Sequence, residues 1–102
     1  MLELRPCCEH CETPLAANAS NAMICSFECT FCKECVETVL ANVCPNCGGG
    51  FCPRPIRPEA DWVNGNNLSH YPAGKRVVTK AVNLSQQQSL IERVGMLAPN
   101  KR

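Results

Sequence analysis

The clearest pattern of hydrophobic positions in this chain is helical. Val36, Val39, Leu40 and Val43 follow the spacing i, i+3, i+4 and i+7. Positions with this spacing share one face of an α-helix, so the pattern predicts a helix from Lys33 to about Val43 with a single apolar side.

A second helical stripe lies near the C-terminus and consists of Leu90, Ile91, Val94 and Leu97. Ser85 is followed three residues later by Gln88, which is typical of a capping box. Together they predict a short helix over about 86–97. This helix has no core of its own, so it must dock on the rest of the chain, pair with another chain or stay partly disordered.

Alternating patterns predict short strands elsewhere. Residues 24–27 alternate and residues 29–32 follow closely, which predicts a short hairpin. Phe27 and Phe31 are then the expected core side chains of that hairpin. A further short strand is predicted over Val77–Val82.

The chain has too few large apolar side chains to build an ordinary core. It has 102 residues, of which 45% are hydrophobic, but ten of these are cysteines and only three Phe, one Trp and one Tyr are present. Ordering each residue costs about 1–2 kcal/mol of backbone entropy, so a core this thin needs a covalent or metal staple.

The cysteines are spaced as metal ligands. Cys8 begins the pattern C-x2-C-x13-C-x3-C-x2-C-x2-C-x8-C-x2-C, which contains four pairs. A gap of two residues allows both thiolates of one turn to reach one ion, and zinc takes four such ligands. Eight ligands therefore predict two zinc ions per chain; the ligands are Cys8, Cys11, Cys25, Cys29, Cys32, Cys35, Cys44 and Cys47.

Disulfides and an iron–sulfur cluster are the alternatives to zinc. The first eleven residues have no apolar h-region, which predicts that no secretory signal is present, and no apolar run approaches the length of a membrane span. We therefore expect a cytoplasmic protein, where clustered cysteines bind metal more often than they form disulfides.

Three other residues near these pairs leave the ligand set open. Cys7 adjoins Cys8 and Cys52 follows the last pair, so either can replace a neighbouring ligand, act as a spare reactive thiol or be inert. His10 is a possible ligand within the first pair, although an exposed histidine at the tip of the turn is the simpler interpretation.

Composition and charge divide the chain near the proline-rich segment 53–58. Residues 1–58 are expected to form the double zinc module, and residues 59–102 a C-terminal extension that is rich in turns before its helix. Residues 1–52 carry a net charge of −4 and residues 53–102 carry +5. Trp62 and Tyr71 are expected to pack back on the module.

The cysteine order resembles the RING-type cross-brace, in which the first and third pairs share one metal and the second and fourth pairs share the other. This resemblance implies one site of Cys8, Cys11, Cys32 and Cys35, and another of Cys25, Cys29, Cys44 and Cys47. The segments MLELRP, ICSFECTFC, CPNCGGGF and PRPIRP also resemble a bacterial family of short cysteine-rich proteins of unknown function, over about residues 1–58. A small metal-stabilised α+β fold of the RING or treble-clef kind follows from the first resemblance.

The resemblance to RING ubiquitin ligases is limited to this scaffold. We call the turn between the two cysteines of a pair a knuckle. Pro45 matches the last knuckle of those ligases, but Glu9 and His10 occupy the first knuckle, between Cys8 and Cys11, where the ligases have an aliphatic residue. The helical segment has no tryptophan, the usual histidine ligand is a cysteine, and the nearest arginine after the last ligand is Arg54. Ubiquitin-ligase activity is therefore not expected.

These observations favour a non-catalytic zinc module that binds another protein. All-cysteine sites leave no position for water or substrate, and no catalytic set of side chains is evident. Nucleic-acid binding through the basic tail is an alternative that the scattered charges do not favour. A thiol or zinc redox sensor that uses Cys7 and Cys52 is a further alternative.

Overall fold

The computed structural model describes residues 1–102 as a small α+β protein. A three-stranded antiparallel sheet has the order β2-β1-β3, with β1 at Ala22–Ile24, β2 at Thr30–Cys32 and β3 at Cys52–Pro53. Helix α1 spans Lys33–Thr38 and helix α2 spans Leu84–Val94, and a 3-10 turn follows at Pro99–Lys101.

The predicted hairpin is present, but only one of its two phenylalanines is buried. Met23 of β1 faces Phe31 of β2 in the antiparallel register. Phe31 is 1% exposed and its ring meets that of Phe51 edge to face, with centroids 5.5 Å apart. The prediction for Phe27 is wrong, because this residue lies in the turn between the strands and is 72% exposed.

Helix α1 is shorter than its apolar stripe predicts. The helix ends at Thr38, and the Leu40 amide then donates to the Cys35 carbonyl, five residues back. Ala41 and Asn42 follow with left-handed backbone, at φ of 49° and 58°. Leu40 and Val43 are nevertheless fully buried. The stripe therefore identified core positions correctly, while the chain leaves the helix to turn toward Cys44.

The core that results is built largely from thiols. Its buried cluster contains eleven residues, six of which are cysteines. Phe31, Leu15 and Leu40 are the largest of its fully buried side chains. Apolar packing alone is therefore as thin as the composition predicts, and the thiol groups occupy the centre of the molecule.

Two secondary-structure elements of the C-terminal extension differ from those that the sequence predicts. Residues 77–82 form no strand. Helix α2 begins at Leu84 rather than near residue 86, because Asn83 and not Ser85 is its N-cap and accepts a 3.0 Å hydrogen bond from the Gln86 amide. It ends at Val94, with Gly95 as the C-cap. A helix thus lies in this part of the chain, two residues earlier at its start and three at its end than predicted, and the predicted capping residue is wrong.

The C-terminal extension docks on the N-terminal half of the chain, which is one of the three arrangements predicted for its helix. Amides along it bond to the first knuckle and its surroundings: Gly74 to the Leu4 carbonyl, Lys80 to the Glu9 carbonyl, and Val82 to the His10 imidazole. The side chain of Gln87 is buried and donates to the carbonyls of Leu40 and Val43.

The two large aromatic residues of the extension do not take part in this docking as predicted. Trp62 is 80% exposed and Tyr71 is 41% exposed. Their loop is held instead by polar contacts, because Arg57 donates to the Tyr71 carbonyl and the buried Asn67 donates to the Glu59 carbonyl. Neither helix has the length and apolar character that crossing a bilayer requires.

Candidate metal centres

Four cysteines from distant parts of the chain form the first thiol cluster: Cys8, Cys11, Cys32 and Cys35. Their Sγ atoms all lie within 4.8 Å of one another. In a tetrahedral site with Zn–S bonds of about 2.3 Å, neighbouring sulfurs are about 3.8 Å apart. The Sγ atoms of Cys11 and Cys32 are 3.7 Å apart. The donor set and its spacing therefore fit one tetrahedral ion.

Regular secondary structure positions half of this first cluster. Cys32 is the last residue of β2 and also the N-cap of α1, where its Sγ accepts a 3.5 Å hydrogen bond from the Cys35 amide. Cys35 lies in the first turn of α1, so its thiol stands beside that of Cys32. One strand–helix junction thus delivers two of the four thiols.

A buried glutamate fixes the knuckle that carries the other two thiols. The Glu9 amide donates 3.0 Å to the Thr30 carbonyl, and the Glu9 carboxylate accepts from the Thr30 amide. The guanidinium of Arg5 pairs with the same carboxylate at 2.6 Å. Because Thr30 begins β2, these contacts hold Cys8 and Cys11 against the strand that ends in Cys32. Sequence reasoning noted Glu9 only as a departure from the RING pattern.

Burial makes several of these thiols hard to ionise without a cation. It raises the pKa of Cys35 and of Cys32, and in both cases neighbouring thiols add to the effect. Burial also opposes ionisation of Cys11, but hydrogen bonds from Thr13 and from other thiols of the cluster lower its pKa to about 7. A divalent cation supplies the positive charge that four adjacent thiolates need.

The second thiol cluster contains three mutually close cysteines: Cys25, Cys44 and Cys47. Their Sγ atoms also lie within 4.8 Å of one another. Cys25 follows β1, and the other two lie in a turn closed by a 2.8 Å bond from the Gly48 amide to the Cys44 carbonyl. Gly48 has a φ of 78°, a left-handed conformation that glycine adopts without steric cost. Burial raises the pKa of Cys44.

Cys29, the predicted fourth member of this cluster, lies outside the mutually close group. Its thiol is buried and accepts a 3.4 Å hydrogen bond from the Asn46 side-chain amide, while burial raises its pKa. The Cys25 amide also donates to the Cys29 carbonyl at 3.2 Å, so the two residues close one turn. The structure therefore brings three of the four predicted residues together and leaves Cys29 beside them.

The remaining candidates stand apart from both clusters. Cys52 is exposed on β3, and Cys7 is half-buried in a bridge to Pro14, where burial raises its pKa. His10 is half-buried rather than an exposed tip, because its Nδ1 accepts a 2.9 Å bond from the Val82 amide. The arrangement of the two clusters is interleaved: the first and third pairs lie together, as do the fourth pair and part of the second.

Two arginines have structural roles that the charge pattern did not reveal. Arg54 is 4% exposed and donates to the carbonyls of Arg5 and Ala16, both at 2.9 Å. Arg57 donates to the Leu2 carbonyl at 2.8 Å. The segment PRPIRP is thereby fastened to the segment MLELRP. The sequence feature that could have indicated these roles is the pair of arginines between prolines, because such a rigid stretch presents its guanidinium groups at fixed spacing.

Comparisons with known proteins agree with the family resemblance. Residues 1–57 match the family described as "Protein of unknown function (DUF1272)". An uncharacterized protein of Rhizobium meliloti (strain 1021) is 49% identical over 80 residues, which cover 78% of this chain and 88% of that protein. No solved structure matches this one. Since the family match covers more than half of the residues, the chain belongs to this bacterial family of unknown function.

Proposed function

We propose that this protein is a non-catalytic module that holds two zinc ions and binds another protein. The observation that carries the proposal is the interleaving of the two thiol clusters, which use alternate cysteine pairs along one short chain. In such an arrangement each ion ties together segments that are distant in sequence. Both ions are then needed to hold the module together, with Cys29 as the fourth ligand of the second.

The chemistry of the donors supports a structural rather than a catalytic role. Sites of four cysteines are typical of structural zinc, whereas catalytic zinc keeps one position open for water or substrate. The two histidines are also otherwise engaged: Nδ1 of His10 accepts from Val82, and Nδ1 of His70 lies 2.6 Å from the Asn67 side chain. Neither histidine belongs to either of the two thiol clusters.

The exposed apolar side chains support a protein partner. Trp62 and Val63 of the docked extension are 80% and 62% exposed, and Ile56 in the preceding proline-rich segment is 56% exposed. Large apolar side chains in contact with water favour association with another protein, and tryptophan is the residue most often found at the centre of such contacts.

Nucleic acid is the less favoured partner because four of the eight basic residues in the positively charged segment 53–102 are already engaged. Arg54, Arg57 and Arg102 donate to backbone carbonyls, and Arg76 pairs with Glu3 at 2.7 Å. The residues left for phosphate are Lys75, Lys80, Arg93 and Lys101. Scattered lysines of this kind give weak binding that does not depend on base sequence.

Native mass spectrometry of the purified chain tests the metal part of the proposal. We expect two zinc ions per chain and loss of the folded state on strong chelation, because a structural zinc contributes about 10–16 kcal/mol of binding free energy coupled to folding. One ion per chain, or an unchanged circular dichroism spectrum after chelation, contradicts it.

The partner and the absence of catalysis are tested separately. We expect a protein to co-purify from the native cell with the tagged chain, and the chain to co-purify when that protein is tagged instead. Recovery should be lower with Trp62→Ser than with Ser89→Ala, which changes an exposed polar position of α2. A reconstituted ubiquitin assay is expected to give no polyubiquitin. Equal recovery of the partner with both variants contradicts the role of Trp62 in binding, and robust polyubiquitin formation contradicts the absence of ligase activity.

A further inference from the structure

The proline-rich segment 53–58 has the constraints of a polyproline II helix. Proline fixes its own φ near about −65°, and a residue that precedes proline is restricted to extended backbone. Five of the six positions are prolines or precede one, and residues 54–58 belong to no helix or strand. Polyproline II has three residues per turn, so residues three apart share one edge. The segment therefore has three edges, each carrying two side chains.

One of these edges faces the protein and holds the segment in place. Arg54 and Arg57 are three residues apart, and both donate to backbone carbonyls of the N-terminal segment. The backbone is also bonded at both ends, because the Arg54 amide donates to the Ala22 carbonyl at 2.8 Å and the Pro58 carbonyl accepts from the Leu68 amide at 2.9 Å. A segment fixed in this way loses little conformational entropy when it binds.

The other two edges face solvent and carry only apolar side chains. All four are exposed, and we call them the proline ridge: Pro53, Pro55, Ile56 and Pro58. The prolines have no N–H, and the carbonyls of Pro55, Ile56 and Arg57 accept no hydrogen bond from the protein. The ridge thus presents apolar rings together with free backbone acceptors.

This combination favours one mode of protein recognition. A partner strand would need a row of backbone N–H donors, which prolines lack. An anionic partner would need cations, but both arginines of the segment point inward. A groove lined by aromatic side chains suits such a ridge, because aromatic rings pack against prolines while their polar N–H or O–H groups donate to the carbonyls.

From this geometry we infer that the proline ridge is the docking surface for a protein domain with an aromatic-lined groove. The exposed Glu59 directly follows the ridge and takes part in none of the four ion pairs of the chain. A basic side chain at that end of the groove would complement it. The inference rests on the proposed function, in that it names the surface and the kind of partner for a module that binds protein.

Photocrosslinking in the native cell tests where the partner lies. The photoreactive amino acid p-benzoylphenylalanine replaces Ile56 of the ridge, Trp62 of the extension or, as control, Leu84, which is 64% exposed. We expect a protein to crosslink to position 56 and not to position 84. The crosslinked peptide of that protein should map to a groove lined by its tryptophan or tyrosine side chains.

Matched variants of the zinc-loaded full-length chain test the role of the prolines. Pro55→Ala and Pro58→Ala should each weaken binding of the crosslinked protein about fivefold to tenfold, with two zinc ions retained. Pro72→Ala removes an exposed proline outside the ridge and should bind like the original chain.

Two peptides test whether the backbone conformation is recognised. The peptide of residues 53–61, PRPIRPEAD, should compete with the chain for the crosslinked protein. The same peptide with D-proline at positions 55 and 58 has the same composition but cannot form the left-handed helix, and it should not compete.

The outcomes separate this inference from the proposed function. A protein that crosslinks at position 62 but not at position 56 overturns the inference and leaves a protein partner standing, whereas no crosslinked protein at either position contradicts both. Crosslinking of position 56 to a second copy of this chain, a partner surface without aromatic side chains, equal binding by the Pro55, Pro58 and Pro72 variants, and equal competition by the two peptides each overturn it as well.

Discussion

The two thiol clusters differ in how the chain builds them. In the first, a strand–helix junction and a glutamate-braced knuckle bring four Sγ atoms within 4.8 Å. In the second, turns supply the residues, three thiols meet, and Cys29 stays bonded to Asn46. Regular elements fix their side chains through backbone hydrogen bonds made by the element itself. The ligands of a turn depend more on the ion for their final positions.

The comparison also separates two ways in which the extension supports the module. Near the first cluster it bonds to Glu3, Glu9 and His10 of the knuckle region. Near the second, Gln87 holds the carbonyls of Leu40 and Val43, next to Cys44. The first set is largely polar and partly exposed, whereas the second is buried. We therefore expect the contact made by Gln87 to contribute more to stability than that made by Glu3.

The largest effect is expected from Cys32→Ser. This change removes a thiol of the first cluster and also the sulfur that caps α1, so one ion is lost and the fold fails even with zinc in excess. Zinc content and circular dichroism report both. Cys7→Ser is the matched control and should keep two ions, because Cys7 is in neither cluster. A Cys32 variant with a native spectrum contradicts this prediction.

Cys29→Ser is expected to have a smaller effect than Cys44→Ser. With Cys29 replaced, three close thiols remain and an oxygen ligand can complete the tetrahedron, so the second ion is retained with weaker affinity. Cys44→Ser leaves only two thiols of that group and should lose the ion. Competition with a chromophoric chelator measures both affinities. Equal losses in the two variants would show that the second cluster is as fully formed as the first.

Gln87→Ala should destabilise the docked extension by about 1–3 kcal/mol, since it leaves the buried Val43 carbonyl without a donor, whereas the Leu40 carbonyl keeps the Val43 amide. Both zinc ions should remain bound. Hydrogen exchange is expected to speed up in α2 while β1 and β2 stay protected. Gln88→Ala, at the exposed neighbouring position, should change stability by less than about 0.5 kcal/mol. Unchanged protection of α2 in the Gln87 variant would contradict the proposed anchor.

The smallest effect is expected from Glu3→Gln. Hydrogen bonds from Arg76 and Arg5 lower the pKa of the Glu3 carboxyl from 4.5 to about 2. A lowered pKa stabilises the fold fully above pH 4.5, and this contribution is lost as the pH falls from 4.5 toward 2. The cost of the substitution should therefore be less than about 1 kcal/mol and equal at pH 7 and pH 5. A cost that disappears at pH 5 in denaturant titrations would contradict this assignment.

The sequence allowed the core positions to be predicted better than the elements that carry them. The spacing of Val36, Leu40 and Val43 marked buried residues, yet α1 ends at Thr38 because left-handed backbone at Ala41 and Asn42 redirects the chain. Periodicity reports which residues face the core, and it cannot distinguish a helix from a helix followed by a compact turn.

Local sequence patterns could not predict contacts between residues that are distant in the chain. Phe27 was expected in the core because it alternates with its neighbours, but the hairpin turn leaves it in water. Arg54 lies in the positively charged segment 53–102, whose charge suggested a basic tail, whereas it is buried against carbonyls of the N-terminal segment. The cysteine spacing was informative for the opposite reason: metal coordination imposes geometry on pairs whatever lies between them.

Cadmium-113 NMR of the cadmium-substituted chain tests the interleaved two-ion arrangement most directly, because scalar couplings to cysteine β-protons assign each thiolate to its ion. We predict two cadmium resonances, one coupled to both Cys11 and Cys32 and the other to Cys25 and Cys44. A single cadmium coupled to both Cys11 and Cys25 would mean that neighbouring pairs share an ion, and it would contradict the account.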